Sequence, residues 1–424
     1  MKKRVWSIFL SSIIVLALLV GCQSSSSGSK SNGKIKLVMW DLFSGGDGDF
    51  MKEMINEFNN SQSDIEVETV TLEWAEYYTK LVTAVAAGKG PDIGISHTSK
   101  LPEIVDQGLA TELDPLADSI KLDWDSYNKN ILDATIFDGK HYAVPIDTHP
   151  IVFYYNKKHL GAAGLLDENG MPKIESGAKG FSDFMNTLKA NNSKLTTFAF
   201  PTAGDDPFRL WWALYHQLGA HDVVSDDLTS PQIDKEKAIE AANFMKDLYY
   251  KDKVIPLNME DFYQPFQTGN AATIITGVWA TGTFEKTDGL DFGVIPLPTL
   301  YNTPATWGDS HTIFLPVQKK EDTDKAQAAL RFADFIADHG QIWTRAGHIP
   351  SKTSVVESAE FKNLPYRSDY EKAAQQVAFP KQSNKVWPIK DIIIRNLDTI
   401  WANKATPEEA FNKMESEIAE LLSK

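Results

Sequence analysis

The order of apolar and polar positions predicts alternating strands and helices from about residue 34 onward. Continuous or alternating apolar runs predict strands, and apolar residues three and four apart predict helices. The first predicted elements are strands at 36–40, 65–70 and 92–96, with helices at 50–58 and 74–85 between them. This β-α-β-α-β order favours a parallel sheet covered by helices, in which ligands bind at the carboxyl ends of the strands.

The same mixture of periods continues to the end of the chain. Strands are predicted at 141–147 and 151–157, separated by a short bend at 148–150. Further strands are predicted at 196–200, 272–275, 292–295 and 311–315, and further helices from 182, at 207–218, up to about 250, at 326–337 and from 407. With 424 residues the chain is longer than one hydrophobic core usually serves, so two α/β units are expected.

The N-terminal segment has a different pattern. Three cations precede an apolar run at 5–20 that is too short and too rich in serine to span a membrane but suits a signal peptide. It ends in Leu-Val-Gly-Cys22, which resembles a bacterial lipobox, although an ordinary secretory signal with a chance cysteine is the alternative. We therefore expect a signal peptide at 1–21 and a flexible Ser-rich tether at 22–33. The acyl chains on Cys22 would hold the protein on the extracytoplasmic face of the cell membrane.

Composition excludes several classes of function. The net charge of −15 argues against binding nucleic acid, and Cys22 is the only cysteine, so the fold has no disulfide. The nine histidines show no H-E-x-x-H spacing, and residues 45–49 form neither a phosphate loop nor a calcium loop, so no metal and no cofactor are predicted. The inventory of carboxylates leaves a glycosidase open, because such an enzyme needs only two suitably spaced carboxyl groups.

Eight short phrases of the chain are distinctive when they are taken together and in order. They are Leu37–Trp40, Ala86–Ile93, Tyr142–Pro145, Tyr154–Lys157, Phe266–Ala272, Gly277–Ala280, Phe292–Pro298 and Ala346–Pro350. They span almost the whole chain after the signal segment, and together they are more specific than any one of them alone. In these phrases and in their order the chain resembles family 1 extracellular solute-binding proteins, the maltose-binding-protein-like receptors of carbohydrate-importing ABC transporters.

The resemblance implies an α/β, type II periplasmic-binding-protein-like fold, with two lobes joined by crossing segments and a ligand cleft between them. Lobe one is expected at 34–146 plus about 300–318, and lobe two at 149–294 plus 319–424. Crossings are expected near 145–147, near 296–298 and near Val317.

A carbohydrate site combines tryptophans, which cover the apolar face of the sugar ring, with polar side chains that bind its hydroxyls. The residues expected to bind the ligand are Trp40, Asp41, His97, Asp147, His149, Trp211, Trp212, Trp279, Trp307, Asp309, His311 and Trp387. Trp40 also fits a core position and Asp41 a helix cap. Adjacent residues of a helix point about 100° apart, so one of Trp211 and Trp212 is expected in the core and the other in the cleft. The helical stripe that contains Trp74 is expected to be core.

These features predict a monomeric receptor, not an enzyme, that captures a mono- or oligosaccharide by hinge closure. Its expected partners are the sugar, the membrane subunits of an ABC permease, and the lipid bilayer through acylated Cys22. Two alternatives stay open. The same fold could bind a peptide, polyamine or other non-sugar solute, or the chain could be a surface-tethered enzyme that acts on polysaccharide.

Overall fold

The computed structural model describes residues 33–43, 47–259 and 261–424. The signal segment predicted at 1–21, Cys22 and residues 23–32 of the predicted tether lie outside the described residues. Among the helices that are described, none has the length and apolar character needed to cross a membrane.

The described chain folds into short strands and helices that alternate along the sequence. The strands are β1 Ile35–Asp41, β2 Ile65–Thr71, β3 Ile93–His97, β4 Ile136–Phe137, β5 Lys140–His141, β6 Ala143–Pro145, β7 Asp147–Asn156, β8 Thr196–Ala199, β9 Ala271–Gly277, β10 Phe292–Pro296, β11 Gly308–Asp309, β12 His311–Phe314 and β13 Ile349–Pro350.

The helices follow the same alternation. They are α1 Asp47–Ser61, α2 Trp74–Ala86, α3 Leu101–Asp106, α4 Asp114–Ile120, α5 Lys129–Asp133, α6 Lys157–Ala162, α7 Gly177–Asn191, α8 Asp205–Gln217, α9 Lys235–Tyr250, α10 Tyr263–Gln267, α11 Thr281–Glu285, α12 Thr323–Asp338, α13 Gly340–Trp343, α14 Thr353–Val356, α15 Ala359–Asn363, α16 Arg367–Tyr370, α17 Val386–Trp401 and α18 Pro407–Leu422. Short 3-10 turns occupy Trp124–Ser126, Val278–Ala280, Thr344–Ala346 and Glu371–Gln376.

The first sheet organises lobe one. Its strand order is β2-β1-β3-β12-β6, with β1 parallel to β2 and β3, and with β12 antiparallel to β3 and β6. Along β1 the side chains alternate, so that Leu37 and Met39 are buried and Val38 is exposed. Met54 and Phe58 of α1 pack in the same core, which is called the first core below. The predicted parallel β-α-β-α-β start of the chain is therefore confirmed.

The second sheet organises lobe two and has the order β10-β7-β9-β8. The core on one face includes Trp211, Met245 and Trp401, and the core on the other face includes Phe266 and Tyr370. All ten residues of β7 are buried, as expected for a central strand covered on both faces. Helix α17, for which the sequence pattern gave no prediction, contributes its apolar face to the core that contains Trp211, which is called the second core below.

The bend predicted at 148–150 is wrong, because β7 runs without interruption through these residues. Thr148 pairs with Ile349 of β13, and His149 pairs with Asp309 of β11. The strand therefore continues because distant segments supply its neighbours, and local sequence contains no sign of them.

Within the described residues, the chain passes between the two sheets at three places. The first is Ile146, between β6 and β7, where a crossing was expected. The second is Ser310, between β11 and β12, and the third is the pair Gly347–His348, before β13.

The crossings expected near 296–298 and Val317 lie elsewhere. Leu297 belongs to the second core, and the backbone nitrogen of Val317 donates to the carbonyl of Leu109 in lobe one, 2.9 Å away. Residues 323–346 also differ from the predicted boundary, which assigned 319–424 to lobe two. The apolar face of α12 packs in the first core, where Phe332 contacts Phe58 edge-on at 5.1 Å between ring centroids.

We expect Arg367→Met to lower the free energy of unfolding by about 3 kcal/mol or more. Arg367 is only 1% exposed. Its guanidinium donates to the carboxylate of Glu285 at 2.6 Å and to the carbonyls of Thr344 and Arg345 at 3.1 and 2.8 Å. Removing the cation leaves a carboxylate and two carbonyls without these donors. Chemical denaturation followed by circular dichroism measures the change.

Arg395→Met is the matched control, because Arg395 is an exposed arginine whose carboxylate partner Glu417 lies 3.3 Å away. Exposed pairs of this kind contribute less than about 1 kcal/mol. Equal denaturation midpoints for the two variants would contradict a structural role of Arg367.

Candidate ligand-binding cleft

A cavity of about 240 Å³ lies between the two lobes, where the three crossings meet. Lobe one contributes the end of β3 and the start of α1 and α2, and lobe two contributes α8, the turn after β9 and the start of α17. The residues that line it include Leu42, Asp47, Trp74, His97, Ser99, His149, Phe208, Arg209, Trp212, Asp222, Trp279, Trp307, Asp309, His311, His348, Lys381, Trp387 and Lys390.

One wall of the cavity consists of aromatic side chains from both lobes. Trp387 stands at the start of α17, and its indole nitrogen donates to the hydroxyl of Ser99 across the cleft at 3.0 Å. Its ring also meets Tyr78 edge-on at 5.2 Å and lies 6.0 Å from the ring of Trp74. Because Trp387 belongs to a helix of the second core, this cluster joins lobe two directly to lobe one.

A second part of the lining consists of two tryptophans and an arginine. The guanidinium of Arg209 lies 4.5 Å from the ring centre of Trp307 and 5.2 Å from that of Trp279, which favours a cation–π arrangement. The indole nitrogen of Trp279 donates to the hydroxyl of Tyr263 at 3.0 Å. A Cβ atom on Gly277 would lie 1.9 Å from the Trp279 ring. Gly277 therefore provides the space that the Trp279 ring itself occupies.

The floor of the cavity is a cluster of imidazoles around one carboxylate. Asp147 is completely buried, and it accepts from Nδ1 of His149 at 3.0 Å and from Nδ1 of His311 at 2.7 Å. Its carboxylate also accepts from the backbone nitrogen of His311 and from the indole nitrogen of Trp343. Nδ1 of His348 lies 3.3 Å from the same carboxylate.

This packing sets the charge of the cluster. Burial alone would raise the pKa of Asp147, but the imidazoles of His311, His149 and His348 hold that pKa well below its ordinary value. Burial, assisted by neighbouring imidazoles, lowers the pKa of His97 and of His149. Burial opposes protonation of His348 too, yet Asp147 and Asp47 raise its pKa. The floor therefore combines an ionised carboxylate with imidazoles of contrasting basicity.

Asp309 also lines the cavity, and it binds the segment that follows β3. Its carboxylate accepts from the hydroxyl of Thr98 at 2.6 Å and from the hydroxyl of Ser99 at 2.5 Å. The backbone nitrogen of Ser310 donates to it as well, at 2.9 Å. These bonds hold the segment after β3 against the second crossing.

Eight of the twelve residues expected to bind the ligand surround this cavity, and four do not. Those that line it are His97, His149, Trp212, Trp279, Trp307, Asp309, His311 and Trp387. This placement makes them available to a ligand, and their contact with one remains a prediction.

The four residues outside the lining have structural roles. Trp40 packs against the first core beside α2, and Asp41 accepts from the hydroxyls of Thr69 and Thr71. Trp211 is fully buried and stacks on Tyr215 at 5.1 Å, so Trp212 is the member of the pair that faces the cleft. Asp147 lies beneath the floor, where it holds the imidazoles in place.

Several residues that line the cavity were not among those expected to bind the ligand. Trp74 is expected to be core from its helical spacing, but it is 46% exposed because it begins α2 at the mouth of the cleft. Arg209 and Asp47 gave no distinctive pattern. His348 lies within the Ala346–Pro350 phrase, which was the available signal for it.

Two α/β lobes connected by three crossings, with an aromatic and polar cavity between them, define a two-lobed ligand-binding protein. The chain belongs to the family of bacterial extracellular solute-binding proteins, whose model matches residues 53–368. The resemblance found in the sequence and the two-lobe type II fold that it implied are therefore confirmed.

Comparison with known proteins gives relatives of low identity. The chain is 25% identical over 271 residues to an arabinooligosaccharide-binding protein of Halalkalibacterium halodurans, a match that spans 62% of this chain and 58% of that protein. It is 22% identical to a maltodextrin-binding protein of Bacillus subtilis, over 96% of this chain and 95% of the relative. Its fold is similar to that of an ABC substrate-binding protein from Listeria monocytogenes solved with cycloalternan, with a TM-score of 0.79, 22% identity, and coverage of 92% of this chain and 99% of that chain.

Proposed function

We propose that this protein captures a mono- or oligosaccharide outside the cytoplasm and delivers it to an ABC importer. The observation that supports this proposal is the cavity itself, in which indole rings of both lobes stand beside carboxylates, imidazoles and a guanidinium. Sugar rings have apolar faces that pack on indoles and hydroxyls that pair with charged groups. Because both lobes supply lining residues, a sugar between them would favour the closed state.

The charges of the lining favour a neutral ligand over a cationic one. Three cations and three carboxylates line the cavity, so their formal charges cancel and leave no excess of negative charge to attract a polyamine. These side chains are Arg209, Lys381, Lys390, Asp47, Asp222 and Asp309. The carboxylate of Asp309 is already engaged by hydroxyls and a backbone nitrogen. The binding of oligosaccharides by relatives of this chain, as their names state, agrees with this choice.

The proposed function also includes anchoring to the cell membrane and transfer of the sugar without chemical change. Cys22 would anchor the protein through acyl chains, which is testable by mass spectrometry of membrane-extracted protein and of Cys22→Ser. The protein would transfer its sugar unchanged, as receptors do, and would act as a monomer. The relatives are named as binding proteins, which agrees with this assignment.

A screen of neutral sugars tests the proposal. A ligand that binds only the folded state raises the melting temperature, by an amount that corresponds to about 2.7 kcal/mol at a hundredfold excess over the dissociation constant. We expect a maltodextrin or an arabinooligosaccharide to raise it and spermidine or a tripeptide to leave it unchanged. Stabilisation by spermidine or the peptide alone would support the non-sugar alternative. Chromatography of the recovered sugar would reveal cleavage if the chain were an enzyme.

A further inference from the structure

We propose that Asp147, His149, His311 and His348 bind one divalent transition-metal ion, and that zinc is the metal to which this ligand set is best suited. The site lies at the floor of the cleft, where His149, His311 and His348 also line the cavity, and it is a property of the protein without sugar. It therefore does not depend on the carbohydrate assignment.

The ligand atoms are already gathered at the spacing of a metal site. One atom from each of the four residues lies within 4.8 Å of every other. The carboxylate of Asp147 is 3.0 Å from Nδ1 of His149, 2.7 Å from Nδ1 of His311 and 3.3 Å from Nδ1 of His348. Tetrahedral zinc with bonds of about 2.0–2.2 Å holds its ligand atoms about 3.3–3.5 Å apart, so small movements of the side chains suffice.

His348 provides an independent observation. The residue is 1% exposed, and within the described residues neither of its ring nitrogens has a hydrogen-bond partner of acceptable geometry. A buried polar atom without a partner is unfavourable by about 1–3 kcal/mol. Its Nδ1 faces Asp147, and its Nε2 lies 3.4 Å from the carboxylate of Asp47. Coordination of a metal ion by Nδ1 would satisfy that nitrogen, and Asp47 would then accept from the other.

The surroundings also resemble the support that metal ligands require. Three imidazoles and one carboxylate form a set that favours zinc over calcium or magnesium, which prefer oxygen ligands. The carboxylate of Asp147 is oriented by the backbone nitrogen of His311 at 2.9 Å and by the indole nitrogen of Trp343 at 2.7 Å. Outer hydrogen bonds of this kind fix the orientation of metal ligands.

The position of the site gives it a structural role. Asp147 and His149 follow the first crossing, His311 follows the second, and His348 belongs to the third. One metal ion would therefore connect all three segments on which the lobes turn. It would stabilise the hinge and hold the imidazoles of the floor in one arrangement.

The test is zinc binding to the natural chain, freed of its purification tag and stripped with a chelator, in the absence of sugar. Isothermal titration calorimetry should show one zinc per chain with a dissociation constant below about 1 µM. Cobalt, added in place of zinc, should give the visible absorption of a tetrahedral ion. Failure of the natural chain to bind zinc stoichiometrically, or absence of that absorption, would overturn the proposal.

His348→Gln should weaken zinc binding at least about tenfold, whereas His159→Gln should leave it unchanged. His159 is the matched control because its Nε2 donates to the carbonyl of Gly269 at 2.8 Å, on lobe two and outside the cluster. Circular dichroism establishes that each variant is folded, and His311→Gln replaces His348→Gln if the latter is not. Equal zinc affinity in the folded ligand variant and the natural chain would refute the assignment.

Discussion

Replacing Trp279 by alanine should weaken binding of the sugar found in the ligand screen at least about tenfold. The indole lines the cavity beside Arg209, and its removal deletes a large apolar face on which a sugar ring would pack. A tenfold change corresponds to about 1.4 kcal/mol, which is within the range of one aromatic stacking contact together with its buried area. Isothermal titration calorimetry with the same sugar measures the loss.

The matched control is Trp124→Ala. Trp124 is also partly buried and stacks on His141 at 4.1 Å, but it belongs to lobe one, away from the cavity. We expect its sugar affinity to equal that of the natural chain, and we expect Trp279→Ala to lose little stability. Unchanged affinity in Trp279→Ala would remove this indole from the ligand site while leaving the fold assignment intact.

Asp147→Asn should lower the free energy of unfolding by about 3 kcal/mol or more when metal ions are removed by a chelator. The natural carboxylate accepts from two imidazoles, an indole nitrogen and a backbone nitrogen, and it is completely buried. The amide has one acceptor oxygen, and its NH2 group would face donors. The charge that pairs with His348 would also be lost. Chemical denaturation measures the difference.

Asp133→Asn provides the corresponding exposed control. Asp133 pairs with Lys129 one helical turn away at 2.7 Å, and both side chains are at least half exposed. Such a pair contributes about 0.3–0.5 kcal/mol. If Asp147→Asn were no more destabilised than this control, the carboxylate at the crossings would have no structural importance.

The strands and helices of lobe one were predictable because their partners follow each other closely in sequence. Periodicity alone identifies β1, α1, β2, α2 and β3, and a β-α-β order implies parallel pairing. The continuous course of β7 was not predictable. Its first residues pair with Asp309 and Ile349, more than 150 positions away, and a short Thr-His-Pro sequence by itself is typical of a bend.

The candidate site was predictable where a residue ends a strand or stands in a phrase of the family. His97, at the end of β3, and Trp279, in the Gly277–Ala280 phrase, are of this kind, and both line the cavity. Helical spacing predicts a core position for Trp74, which is wrong. Trp74 is the first residue of its helix, and a side chain there can lie beyond the core that the rest of the helix covers. The sequence alone does not show whether Asp147 is buried and holds neighbouring imidazoles in place or contacts the ligand directly. That distinction depends on three segments meeting in space.

The position of Trp387 would make a movement of the lobes detectable by tryptophan fluorescence. Its indole is carried by a helix of one lobe and shielded by Tyr78, Trp74 and Ser99 of the other. Separation of the lobes would bring this chromophore into water, and the emission of tryptophan shifts to longer wavelengths in a polar medium. The difference between the natural chain and Trp387→Phe isolates that signal, so opening and closing can be followed in time without attaching a dye.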